Sequence, residues 1–568
     1  MRTLLSLVLS IGILLLSGCV ILGISANVCS VDAQCDACEE CENGTCVPMD
    51  DPPSSCTRDR DDRDEEPDLG PPPEIWLPGD PLPPQAVVFE GDLRIENSAD
   101  VDDAERFTHV TGSVLILAPG LSTVRLPQLV AIGESLIIGD VVDIFSNITG
   151  PNDALHTLDL PSLVSIGGDL SVYDNEVLPS LDGLSALRAF AGHLEIKSND
   201  ALTQIDGLSG LVAATHVIVS HNPFLETLQG LRNVKAITCD CNSGRLEIGF
   251  NDSLATLGNT WALESIDGLL SLDDLPALSS LAALSQLTTA SSVLLSRLPL
   301  LTSLHGLHSV AETNGTLHIS HTTLTDLTGL GAGIGSKELY IADNPLLVSL
   351  VGLAPIIGEE KYIHLVRNPI LADISVLSGA TSASKLGLED CPAIDLAGTF
   401  ERLTSVKVFE LDGMPQVTDL GGFSGLASLR SVQLKDMEGL RNLGGLEGVI
   451  GSVHSLDIEG NTALQDVAAL AGLTSVTTGV SLKRNPALTG LVGLHHIQSI
   501  GDTLVIEENA SLSTIDLEPL QSVGSLIVSK NPNLPTCAAE QLRDRLQFTH
   551  LTPFVRIDDN GEGSCSSP

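Results

Sequence analysis

The chain has 568 residues, 43% of them hydrophobic but only 3% aromatic, and a formal net charge of −45 at pH 7. That supplies enough apolar side chain for a large core, which must then be built from Leu, Ile, Val and Ala rather than from rings. The charge excludes electrostatic attraction to nucleic acid or anionic lipid, whose phosphates it repels, and leaves cationic partners and divalent ions compatible.

Residues 1–18 read as a signal peptide, with Arg2 as a minimal basic region and an apolar run over 4–16 that is too short to span a bilayer. The run ends in Leu16-Ser17-Gly18-Cys19. This ending resembles the lipobox of bacterial lipoproteins, and the resemblance implies that Cys19 becomes the lipidated first residue after cleavage. The alternative is an ordinary secretory signal cut nearby. An extracytoplasmic protein anchored to a membrane by lipid is therefore expected, on the outer membrane or cell surface. Val20, where Asp would favour inner-membrane retention, agrees with that location.

Residues 19–56 form a cysteine-rich module. Cys29, Cys35, Cys38, Cys41, Cys46 and Cys56 fall within 28 residues, and export favours disulfides, with 15 pairings open. Cys35-x-x-Cys38-x-x-Cys41 has zinc-like spacing, but the module contains no His, so oxidation is the preferred reading. Its Asp and Glu residues lack the order of a calcium loop and read as a solvated face. Residues 57–85 then combine a run of Arg, Asp and Glu at 58–66 with prolines at 67, 71, 72, 73, 78, 81, 83 and 84. Such a segment cannot bury a core and reads as an extended spacer, in which Trp76 is the one residue able to dock on anything.

Residues 86–565 read as the solenoid domain, and over about 170–534 one pattern recurs in it, L-x-I/L-x-x-N-x-x-L-x-x-L-x-G-L. The slot of Asn175 recurs at Asn199, Asn222, Asn251, Leu275, Leu298, Thr322, Asn344, Asn368, Cys391, Met414, Met437, Asn461, Asn485, Asn509 and Asn531, in steps of 22 to 24 residues with one step of 29. A period in the twenties with one strand per unit predicts a solenoid. In Leu339-Tyr340-Ile341, alternation sends Leu339 and Ile341 inward and Tyr340 outward. The slot Asn turns inward to satisfy backbone groups at the bend, stacked Asn residues form a ladder, and Gly352 turns the next corner. At about 4.8 Å per turn, sixteen slots make a rod of about 75 Å.

The early phrases Phe89-Glu90-Gly91-Asp92-Leu93-Arg94-Ile95 and Leu160-Pro161-Ser162-Leu163-Val164-Ser165-Ile166-Gly167 resemble the receptor L-domain, the leucine-rich-repeat-like fold of insulin and epidermal growth factor receptors. The expected fold is mainly β: a right-handed parallel β-solenoid with a short C-terminal helical cap. Residues 538–547 supply the helix, and Cys537 with Cys565 supplies a disulfide worth about 3 kcal/mol of loop closure. The chain departs from those receptors in lacking a kinase and in having far more turns than one L-domain.

Catalytic or cofactor chemistry is not indicated. The glycines at 329–335 fail the G-x-G-x-x-G spacing, no G-x-S-x-G occurs, and His305, His308, His318 and His321 lack a metal-ligand spacing. Cys239 and Cys241 sit in the long step, open to a mutual disulfide, free thiols or weak metal binding. Cys391 in a ladder slot reads as a buried thiol. Aligning turns puts His318, Tyr340 and His364 in one outward column with Tyr362 beside it, a candidate ligand patch in an aromatic-poor array. The function expected is recognition or adhesion, binding a protein or polysaccharide through the solenoid face. A structural envelope lipoprotein without a specific ligand is the alternative.

Overall fold

Each repeat offers two apolar residues flanking an outward one, as in Leu194-Glu195-Ile196, and in the computed structural model these triplets are the strands of one parallel sheet. The structure describes residues 75–78, 80–139, 152–239, 243–311, 313, 315–331, 337–563 and 565, with two short strands, Glu39–Glu42 and Thr45–Pro48. The chain divides into two units between Ile75 and Trp76. In the first, the two short strands pair antiparallel, with Cys41 in register with Cys46. Cys19, Cys29, Cys35, Cys38 and Cys56 lie outside the described residues.

The second unit is a mainly β, parallel solenoid. Its long sheet begins with Leu93–Ile95, pairs turn upon turn in register, and ends with Val555–Asp558. Among the described residues no pairing joins these two end strands, so the sheet is open. A narrower parallel sheet lines a second side of the early turns (Val88–Phe89, His109–Val110, Ala131–Ile132, Ser165–Ile166, Ala189–Phe190). In the middle, single strands such as Ser265–Asp273 serve both sides, with a bulge between Ile266 and Leu269. Trp76, placed with the spacer on its prolines, sets its ring edge-on to His109 at 5.0 Å.

The core is one continuous stack of Leu, Ile and Val, as the scarcity of aromatics requires. Rings enter it locally: Phe400 stacks on Phe423 at 5.2 Å, Phe409 meets Phe423 edge-on at 4.9 Å, and Phe107, Phe190 and Trp261 are buried in earlier turns. The slot asparagines are fully buried and form the expected ladder. Asn199 Nδ2 donates to Val172 O and Lys197 O at 3.1 Å and to Asn222 Oδ1 at 3.0 Å, while its Oδ1 accepts from Asn175 Nδ2 at 2.8 Å. The ladder is longer than the repeat pattern reveals. Asn152 donates to Asn175 at one end, and Asn560 accepts from Asn531 at the other. Cys391 is a buried free thiol whose Sγ donates to Glu389 O at 3.2 Å, in the place of the amide; burial pushes that thiol up to about 11.

One regularity has no signature in residue type. The position directly before the slot is left-handed in turn after turn, with φ of 48° at Asp174, 54° at Phe250, 56° at Asp343 and 49° at Arg367. Gly413 and Gly460 occupy the same place. The bend that turns the slot inward requires this conformation, which costs a non-glycine residue about 1 kcal/mol or more and is held by the ladder bonds on either side.

Helices mark both ends. In the first turn α1 (Ser98–Ala104) opens with a capping box in which the Asn97 side chain accepts from the Asp100 amide and Asp100 returns the bond. In the last, α2 (Thr536–Arg545) is followed by Val555–Asp558, so the predicted helix belongs to a complete further turn. The Cys537–Cys565 disulfide is formed and ties that turn down. At the one long repeat step, Asp267 carboxylate oxygens accept from the Cys239 and Gly244 amides at 2.8 and 2.6 Å. Cys239 is disulfide-bonded; position 241 lies outside the described residues.

Candidate functional site

Parallel pairing without a register shift stacks equivalent side chains, so the outward position of each triplet becomes a column along the sheet. His318 lies on strand Thr316–Thr322, Tyr340 on Glu338–Ala342, and both Tyr362 and His364 on Lys361–Val366. The register pairs His318 with Tyr340 and Tyr340 with His364. The rings touch: centroids are 4.7 Å apart for His318–Tyr340, 5.3 Å for Tyr340–His364 and 6.2 Å for Tyr362–His364. All four are half-buried. His318 Nε2 lies 2.9 Å from Ser320 Oγ, and burial lowers its pKa below the ordinary histidine value, with Asp273 opposing and His321 adding to the shift. Burial raises the Tyr340 phenol. The third tyrosine is engaged elsewhere: Tyr173 hydrogen-bonds through its hydroxyl to Glu195, which also accepts from Lys197.

Beside the column runs a rim that the sequence did not disclose. The left-handed positions His321, Asp343, Arg367 and Asp390 line a shallow concavity with Pro345 and Pro369. Arg367 donates from Nε and Nη2 to the two oxygens of Asp343, each at 2.6 Å, and holds that carboxyl below its ordinary range. His321 Nε2 lies 3.6 Å from Asp343. Directly after each proline, Leu346 and Ile370 stand 47% and 44% exposed, large for aliphatic residues in a solenoid that buries nearly all its leucine. Asn-Pro stands at the slot here, in Asn344-Pro345 and Asn368-Pro369, but also in Asn222-Pro223, Asn485-Pro486 and Asn531-Pro532, so it does not single out this rim.

The remaining residues singled out by sequence do not join this group. His305 and His308 stack on each other at 4.7 Å, away from His318. Of the glycine-rich stretch, residues 332–336 lie outside the described residues, while Gly331 packs where a Cβ would fall 1.8 Å from Val310 O. No helix among the described residues is long and apolar enough to cross a membrane.

The repeat, the inward asparagine ladder and the long parallel sheet that gains a strand with each turn define the class: a leucine-rich-repeat β-solenoid. No family model matches the chain, and no curated protein matches it. Among solved structures it is similar to a TLR13–ssRNA13 complex, at 14% identity over 82% of this chain and 78% of that one, with a TM-score of 0.30. It is also similar to the Toll–Spatzle complex of Drosophila, at 13% identity over 82% and 69%, with a TM-score of 0.35.

Proposed function

We propose that the protein is a lipid-anchored recognition or adhesion protein of the cell surface, related in design to the receptor L-domain, that binds a protein or glycan through the solenoid face at residues 316–390. One observation carries this reading. The touching His318, Tyr340 and His364 rings, the Arg367–Asp343 pair and the exposed Leu346 and Ile370 occupy the same few turns. Rigid amphipathic rings lose little entropy on contact, an exposed aliphatic edge beside them gains from being covered, and a charged rim fixes orientation. The net charge of −45 directs the reading away from nucleic acid. Binding, rather than catalysis, is what a flat face of this kind serves.

The test is a screen of the purified full-length protein against surface proteins and polysaccharides, followed by substitution. Tyr340→Ala with His364→Ala lowers affinity for the ligand found by about 10-fold or more. Ser481→Ala with Val505→Ala, at equivalent places further along the column, leaves it unchanged. Equal binding by the two variants removes this patch from consideration. The anchor is tested separately: a Cys19→Ala protein stays unprocessed and leaves the membrane fraction, and continued sedimentation with membranes after processing would refute lipidation.

A further inference from the structure

Three neighbouring strands bring together side chains that no sequence window contains. His364, Glu389 at the end of strand Ser382–Glu389 and Glu410 in strand Ser405–Asp412 each present one ligand atom, all within 4.8 Å of one another. The register explains how. The outward column reads His364, Gly387, Glu410, so the place between imidazole and carboxylate has no side chain. A Cβ at 387 would fall 2.6 Å from His364 Cδ2 and 2.8 Å from Lys385 Cε. His364 leans across this gap until its Nε2 meets Glu389, while Lys385 Nζ reaches Glu410 Oε2 at 2.8 Å. The side chains of His364, Glu389 and Glu410 are 12%, 26% and 17% exposed, shielded yet open to solvent.

We propose that His364, Glu389 and Glu410 bind one divalent transition-metal ion, zinc by preference, in the gap left by Gly387. An imidazole nitrogen with two carboxylate oxygens suits zinc, whereas calcium and magnesium favour all-oxygen sets. Metal–ligand bonds of about 2.0–2.2 Å place tetrahedral ligand atoms about 3.3 Å apart, so the His364–Glu389 contact opens slightly and the wider pairs draw in, through rotations of the glutamate side chains. Each carboxylate already has one partner, Glu410 in Lys385 and Glu389 in His364. One feature limits affinity. His364 Nδ1 is buried without a hydrogen-bond partner among the described residues, so a metal on Nε2 enforces an Nδ1–H that lacks the usual acceptor. Such acceptors are worth about 10- to 100-fold in metal affinity, which sets the expected Kd in the micromolar range rather than the nanomolar.

The site stands independently of whether the ring column binds a macromolecule. The experiment is calorimetric titration of chelator-treated full-length protein with zinc chloride at pH 7.5 under non-reducing conditions, so that oxidised cysteines do not compete. Wild type takes up one equivalent that Glu389→Gln/Glu410→Gln weakens at least 10-fold, that His364→Gln also weakens, and that calcium and magnesium at equal concentration do not displace. Leu346→Ala, at an exposed residue of the recognition patch, leaves it unchanged and separates this site from that patch. The glutamine variants are isosteric and lie on the surface, and their circular dichroism is compared with wild type. Undiminished zinc binding by the double variant overturns the proposal. So does loss of the ion through His305→Ala/His308→Ala instead.

Discussion

Replacing Asn199 with Ala lowers the unfolding free energy by about 4 kcal/mol. The substitution removes the bonds from Nδ2 to Val172 O, Lys197 O and Asn222, and those that Oδ1 accepts from Asn175 N and Nδ2. Water cannot replace them, because Asn199 and its partners Asn175 and Asn222 have no exposed surface. Each buried backbone group left unpaired costs about 1–3 kcal/mol, and a small cavity adds to the loss. In a stack where every turn is stabilised by its neighbours, the damage reaches the turns of Asn175 and Asn222 as well. Asp200, the next residue, is exposed, and Asp200→Ala changes stability by less than about 0.5 kcal/mol. Urea denaturation followed by circular dichroism measures both. A loss below about 1 kcal/mol for the asparagine variant would show that the ladder does not hold the turns.

Gly352→Ala destabilises by about the same amount, for a different reason. At φ 104° the backbone is strained for any L side chain, and an added Cβ would fall 2.1 Å from Leu327 O and 2.2 Å from its carbonyl carbon. Strain contributes about 1–3 kcal/mol, and forcing apart two packed turns contributes a comparable amount, giving about 4 kcal/mol together. Gly358 separates the two causes. It has φ 94°, but a Cβ there meets nothing within 4 Å, so Gly358→Ala carries the strain alone and costs about 1 kcal/mol. Thermal or urea unfolding of the two variants side by side gives the difference. Equal losses would mean that close approach between turns contributes nothing.

How much of this was legible in the residues depended on whether it was written in period or in conformation. The spacing of Asn175, Asn199 and Asn222 gave the strands, the ladder and the outward column, because parallel pairing preserves register wherever the period is preserved. Asn152 escaped because a long insertion precedes it, and Asn560 because the last repeat contains a helix. The N-terminal helix was readable from Asn97 and Asp100, which carry the capping box. The rim was not. Asp343, Arg367 and His321 share a backbone conformation rather than a side-chain type, and propensity assigns left-handed geometry to none of them except Asp. The cluster of His364, Glu389 and Glu410 escaped for another reason: what assembles it is the missing side chain of Gly387, on a strand that lies between the others.

The asparagine ladder is not continuous. It runs from Asn152 to Asn251, resumes from Thr322 to Cys391, and resumes again where the Met437 amide donates to Asn461, which begins the run to Asn560. Leu275 with Leu298, and Met414 with Met437, fill the intervening slots with side chains that carry no amide. A rod held at one end and loaded at the other does not bend uniformly under such a pattern. The slot-bonded stretches add side-chain bonds to the sheet pairing between turns, whereas the two aliphatic seams keep the backbone pairing alone, as from Leu275 N to Arg297 O and from Gly413 N to Lys435 O. The ladder of the solenoid is in this sense three separate runs, and His318, Tyr340 and His364 stand beside the middle one, whose slots reach from Thr322 to Cys391.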